Sequence, residues 1–334
     1  MMTYALSLLD KSPIAKGESA TDALRRTIAL AQAAERLGYR RFWVAEHHDT
    51  PDLASSAPEI VIPFLLANTH RIRIGSGCVM LQHYSPYKVA ESFNLLAAFA
   101  PGRVDLGVGK APGGLPFSTK ALQSERDSAR KLDFNRLFAD LTTFLESTQG
   151  PDRARAYPTP VIFAERFLLG ASVDSGELAA SQGWDFVFAR HLNGDEALLA
   201  ASVETYRKLT GKPPIVAVAA ILSRDGKEAA AQGEKFRPLK LHIVGRQSVT
   251  VGSEDHAREF ARQAGVTDYR TEPAVPSVVA GSARDLLDEL DRLHEQHGIE
   301  EFIVDLFNQG DSRLTAAELL AKEHAAAGRV AVPA

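Results

Sequence analysis

The residues best suited to chemistry stand where short apolar runs end. Glu46-His47-His48-Asp49 closes the strand-like run that begins at Arg41. A histidine there suits general acid–base work, because its charge changes near neutral pH. The same four residues also suit metal binding. In a regular strand, however, His47 and His48 point to opposite sides, so one ion does not easily take both. A solvated loop end is the plainer reading. Gly75-Ser-Gly77-Cys78 lies inside the run Ile72–Leu81. Two glycines in a strand signal either a bulge or close approach by a ligand or another backbone. Cys78 reads as a small buried apolar residue rather than a nucleophile. Lys110 follows a fourth run, Val104–Gly109, and taken alone it reads as an exposed lysine. Ser172 and Ser175 follow a fifth run, Phe167–Ser172, where a helix begins. Hydroxyls and free N–H groups at such a start make an anion site, and N-capping by Asp174 or Ser175 fits the same residues. Lys110 and Ser172 would end adjacent strands, so one phosphate would bridge them.

These positions depend on the elements that carry them. Apolar runs alternate with helical patterns from Tyr4 to Glu318. Ser19-Ala-Thr-Asp22 is a capping box ahead of a helix that Gly38 ends, and Ser56-Ala-Pro-Glu59 predicts a second helix start with Ser56 as its cap. The strand set continues with Asp185–Ala189, Pro214–Leu222 and Glu301–Leu306. Eight apolar strand–helix units are the count for a (β/α)8 TIM barrel, whose active site lies at the C-terminal strand ends. A doubly wound open sheet is the alternative, but the first turn, Asp10-Lys-Ser-Pro-Ile, lacks a Gly-rich phosphate loop. The pattern breaks twice, at about 111–165 and 225–276. The chain therefore reads as one barrel domain over 1–334, with insertions after strands 4 and 7.

Composition narrows the function classes. The chain has 334 residues, 45% of them hydrophobic and 24% charged, with a formal net charge of −4. That is the make-up of a chain with a full core, and it offers no electrostatic case for nucleic acid or an anionic membrane. The single cysteine rules out an intrachain disulfide and a cysteine-rich metal site. No signal peptide or membrane-spanning run is evident. A cytoplasmic location follows as an expectation.

The motifs also carry a resemblance. Ala5-Leu-Ser-Leu-Leu-Asp10, Glu46-His47-His48, Gly75-Ser-Gly-Cys-Val-Met-Leu81, Pro101-Gly-Arg103 with Ala111-Pro-Gly113, and Leu169-Gly-Ala-Ser172 resemble the bacterial-luciferase-like flavin monooxygenases. The likeness is closest to the single-chain alkanal-monooxygenase-like branch. It runs from Tyr4 to about Glu323 and is weakest over 225–276. It implies a TIM barrel that takes FMN, as FMNH2 from a separate reductase. It also implies O2 chemistry through a flavin C4a-(hydro)peroxide, acting on a small substrate such as an aldehyde. By the same resemblance, His47 is the catalytic residue, Gly77 and Cys78 pack on the flavin ring, and Lys110, Ser172 and Ser175 hold the phosphate. The Gly77–Cys78 bond is expected to be cis, no metal is required, and the partner is a second copy docked through the early helices. Lys110 stands where the family usually has arginine, and Gly109 where the light-emitting subunit has a reactive cysteine. Three other readings stay open. An F420-dependent reductase shares the fold, a non-catalytic flavin-binding subunit would use the same site, and a metal-dependent hydrolase would use Glu46 to Asp49. The second insertion is expected to act as a lid.

Overall fold

The computed structural model describes residues 3–124, 133–146, 154–244, 248–275 and 278–328. Parts of the expected first insertion, 125–132 and 147–153, and the expected end of the second at Pro276 lie outside the described residues. The strands are β1 Ala5–Asp10, β2 Arg41–Val44, β3 Arg73–Ser76, β4 Val79–Met80, β5 Val104–Gly109, β6 Glu165–Gly170, β7 Asp185–Ala189, β8 Ile215–Leu222, β9 Leu239–Ile243, β10 Val249–Val251, β11 Tyr269–Pro273, β12 Val278–Gly281 and β13 Glu301–Leu306. β1 pairs in parallel with both β2 and β13. The circuit continues through β3, β5, β6, β7 and β8 to β13, which closes an eight-stranded parallel barrel. β12 adds to β8 beyond the point where β7 leaves it.

Barrel closure explains the apolar runs. Helices cover the outer face and side chains fill the inner one, so strands such as β1, β5 and β13 are buried throughout. Inside, Leu9, Trp43, Phe167, Val187, Ala217 and Ile303 form a separate packed cluster. The N-terminal end is filled by ions instead. Arg41, 3% exposed, pairs with Asp105 at 3.0 Å and Glu301 at 2.7 Å, and Trp43 Nε1 donates to Asp105 at 2.9 Å.

Local signals are met with two corrections. Helix Ala20–Leu37 has the Ser19–Asp22 capping box and ends at Gly38 with φ 82°. Helix Pro58–Asn68 starts one residue later than its Ser56 motif predicts. Ala57 is its cap, and the pre-set φ of Pro58 makes the first turn without a side-chain bond. The third run is not one continuous strand. It breaks between β3 and β4 at the cis bond Gly77–Cys78, and passes into a 3-10 turn at Leu81–His83.

The second insertion is a folded unit. β10, β9 and β11 form an antiparallel sheet, and helix Glu254–Ala264 packs its Ala257 against Leu241, Ile243 and Val251. This helix reaches helix Pro116–Leu122 of the first insertion, where Phe117 N–H donates to Gln263 Oε1 at 3.0 Å. The two insertions therefore meet on the C-terminal side of the barrel.

Candidate active site

His47 and His48 follow β2 at the C-terminal mouth, and they meet different neighbours. His48 Nε2 lies 2.7 Å from Glu46 Oε1. The same oxygen accepts from Tyr84 O–H at 2.9 Å, and Glu46 Oε2 accepts from Met80 N–H at 3.1 Å. Glu46 thus ties the β2 end to the turn that follows the cis bond. Burial raises its pKa, and the bonds from His48, Met80 and Tyr84 oppose that rise.

His47 belongs to another cluster. Its titratable neighbours include Lys11, Asp305 and His191. Lys11 follows β1 and pairs with Asp305 of β13 at 2.5 Å, where the Asp305 side chain is 1% exposed. Burial, reinforced by the Lys11 ammonium, pulls the His47 pKa down to about 4, so the ring is neutral at pH 7. His191 is likewise pulled down by burial to about 4. His47 Nδ1 is buried with no hydrogen-bond partner among the described residues. A neutral ring with an unused nitrogen at a strand end is suited to receive or share a proton with a bound molecule.

Gly77 and Cys78 sit beside this histidine strand, since Gly77 N–H donates to the Val44 carbonyl at 2.8 Å. The Cys78 thiol is buried, and burial pushes its pKa up, which removes it as a nucleophile at neutral pH. Its sulfur faces β5. A Cβ on Gly109 would stand 2.6 Å from Cys78 Sγ, so glycine at 109 makes room for that side chain. The close approach at Gly75 comes from the barrel itself, since a Cβ there would meet Asp105 Cβ at 2.5 Å.

The anion-binding residues gather at the β5 and β6 ends. These strands pair with Val108 opposite Leu168, which places Lys110 and Ser172 at neighbouring strand ends. Ser172, not Asp174 or Ser175, is the cap of helix Val173–Ser181. Its extended backbone lets Oγ accept from Ser175 N–H at 3.3 Å. The Ser172 and Ser175 hydroxyls are 2.9 Å apart. A Cβ on Gly170 would lie 2.4 Å from Ser175 Oγ, so that glycine admits the hydroxyl. Lys110 is exposed and makes no ion pair among the described residues.

The metal reading finds no donor set. Among the described residues no group of three or more His, Cys, Asp or Glu side chains is arranged to hold an ion. Glu46 is taken by three donors, and the Lys11 ammonium is among the charges nearest His47. Sequence reasoning missed Lys11, His191 and Asp305 as site residues. The signals were an aspartate inside the apolar run Glu301–Leu306 and a polar Arg190-His191 pair directly after β7.

A barrel with this mouth matches a known family. Residues 2–305 match the luciferase-like monooxygenases, and the chain belongs to that family. It is an oxidoreductase of the monooxygenase class. It is 40% identical over 311 residues to the N-acetyl-S-alkylcysteine monooxygenase of Bacillus subtilis, covering 90% of this chain and 91% of that one. The crystal structure of apo-MsnO8 is 30% identical with a TM-score of 0.74, covering 96% and 98% of the two chains. The oxygenating constituent of 3,6-diketocamphane monooxygenase of Pseudomonas putida, in complex with FMN, shares the fold with a TM-score of 0.70 at 18% identity, covering 99% and 100%. An FMN complex and an F420-dependent enzyme both occur among solved structures of this fold. No helix among the described residues is long and apolar enough to cross a membrane.

Proposed function

We propose that the protein is an FMNH2-dependent monooxygenase of the two-component type. The observation that carries this reading is His47, half-buried and neutral, with a buried Nδ1 unpartnered among the described residues, at the end of the strand that receives the Gly77 N–H at the barrel mouth. The residues fit a flavin phosphate. An unpaired lysine and two hydroxyls at a helix start are donors suited to a dianion, and Lys110 supplies a point charge where arginine would supply a fork. Gly77 and Cys78 would offer backbone to the ring system. When bound, the reduced flavin supplies two electrons to O2, so that one oxygen atom enters the substrate and the other leaves as water.

The chain's own residues then do three things. Lys110, Ser172 and Ser175 anchor the phosphate end. His47 holds or passes a proton at Nδ1 next to the reacting centre, while Glu46 and Tyr84 fix the turn behind it. The second insertion works as a lid that keeps water from the site. An aldehyde is one candidate substrate, and the name of the Bacillus subtilis relative adds an N-acetyl-S-alkylcysteine. A separate reductase in the cytoplasm would supply the reduced flavin.

A second copy of the chain is the partner we assign, giving a homodimer of one-barrel subunits. Ile60 and Phe64 on helix Pro58–Asn68, and Leu95 and Phe99 on the neighbouring helix Pro86–Phe99, are exposed apolar pairs at helical spacing.

Anaerobic titration tests the cofactor. Reduced FMN should bind at micromolar levels and reduced riboflavin more weakly, with Lys110→Ala narrowing the gap by roughly tenfold. Equal binding of FMN and riboflavin by the parent protein contradicts the phosphate assignment. Hydride transfer from reduced F420 with no need for O2 would favour the reductase reading.

A further inference from the structure

A cavity of about 430 Å3 opens between the C-terminal ends of β1, β8 and β13 and the start of the second insertion. Its lining is both greasy and cationic. Phe236 and Phe307 pack edge to face, with ring centroids 5.3 Å apart. Lys11, Lys235 and Arg313 bring three cations, against Asp305 as the one lining carboxylate. Asp305 is engaged by Lys11 at 2.5 Å. Arg313 is 3% exposed and gives Nη2 to Asp10 at 2.6 Å, while its Nε meets no acceptor among the described residues. Lys235 is exposed and makes no ion pair among the described residues. Even with Asp10 counted, positive charge exceeds negative, so the cavity favours an anion. The paired phenylalanines favour an apolar chain on that anion.

We propose that this cavity is a substrate subsite for an organic carboxylate bearing an apolar chain, such as an N-acylated S-alkyl amino acid. Lys235 takes the carboxylate, and the chain lies along Phe236 and Phe307. Lys11 and Asp305 line the cavity and are also charged neighbours of His47, so a ligand seated here is next to the histidine of the proposed reaction. Residues 232–236 come from the second insertion, which therefore supplies recognition as well as cover. The catalytic meaning of the subsite rests on the monooxygenase reading above, whereas binding of the acid does not.

Calorimetric titration of the full chain with N-acetyl-S-methylcysteine and with its methyl ester tests the proposal. The acid should bind about tenfold more tightly than the ester. Lys235→Ala should bring that ratio toward one, and Lys235→Arg should keep it. Equal affinity for acid and ester, or a ratio unmoved by Lys235→Ala, overturns the subsite. Reduced FMN binding, measured on the same preparations, reports on the monooxygenase reading separately. FMN binding without acid preference removes the subsite alone. Acid preference without FMN binding sustains the subsite and removes the FMN-dependent reading.

Discussion

Acidification should destabilise this protein through two histidines at the barrel mouth. His47 and His191 each titrate near 4 in the folded chain, because burial disfavours their charged forms. Unfolded, each returns to about 6.5. Between those values the unfolded chain binds more protons than the folded one. Their contribution to stability is therefore full above about pH 6.5, and falls as the pH drops toward 4. Moving from pH 7 to pH 5 costs about 2 kcal/mol for each histidine, or about 4 kcal/mol for both. With a urea slope of about 3 kcal/mol/M, the midpoint should fall by roughly 1 M. Urea unfolding at the two pH values, followed by tryptophan fluorescence, measures it. His47→Gln and His191→Gln should each remove about half of the shift, and other titrating groups cancel in the parent-to-variant difference. Variants that keep the full parental shift would refute burial as the cause of the neutral rings.

Gly109→Ala should destabilise the protein by about 1–3 kcal/mol, because its Cβ would press on Cys78 Sγ at 2.6 Å. Adding Cys78→Ala should restore most of that loss in urea unfolding, and additive losses would show that the contact is not the cause. Phe99→Glu, at a side chain 77% exposed, should convert a homodimer to monomer by light scattering without lowering the melting temperature of the barrel. A dimer unmoved by this charge would place the interface elsewhere.

The barrel was legible because strands covered on both faces become continuous apolar runs, and these runs end at the polar residues of the mouth. His47 stood out for that reason. The Lys11–Asp305–His191 surroundings of His47 did not, because they come from strands 1, 8 and 6 of the barrel and meet only on closure. The break in the third strand was hidden by the apolar residues Val79, Met80 and Leu81, which continue the run after the backbone has changed course at Gly77–Cys78. The antiparallel sheet of the second insertion was harder still. Its strands expose one face and bury only Leu241, Ile243 and Val251 deeply, so their pattern is close to that of a polar loop. Ser172 as the cap shows the same limit at one helix start. Its neighbours Asp174 and Ser175 carry equally good acceptors, and only the backbone of residue 172 decides between them.

Oxygen labelling tests the central claim most directly. With FMNH2, an N-acetyl-S-alkylcysteine and 18O2, the account predicts one 18O atom in the organic product by mass spectrometry. His47→Asn should lower that product by roughly a hundredfold while FMNH2 still binds. Unlabelled product, or turnover that needs no O2, would contradict it.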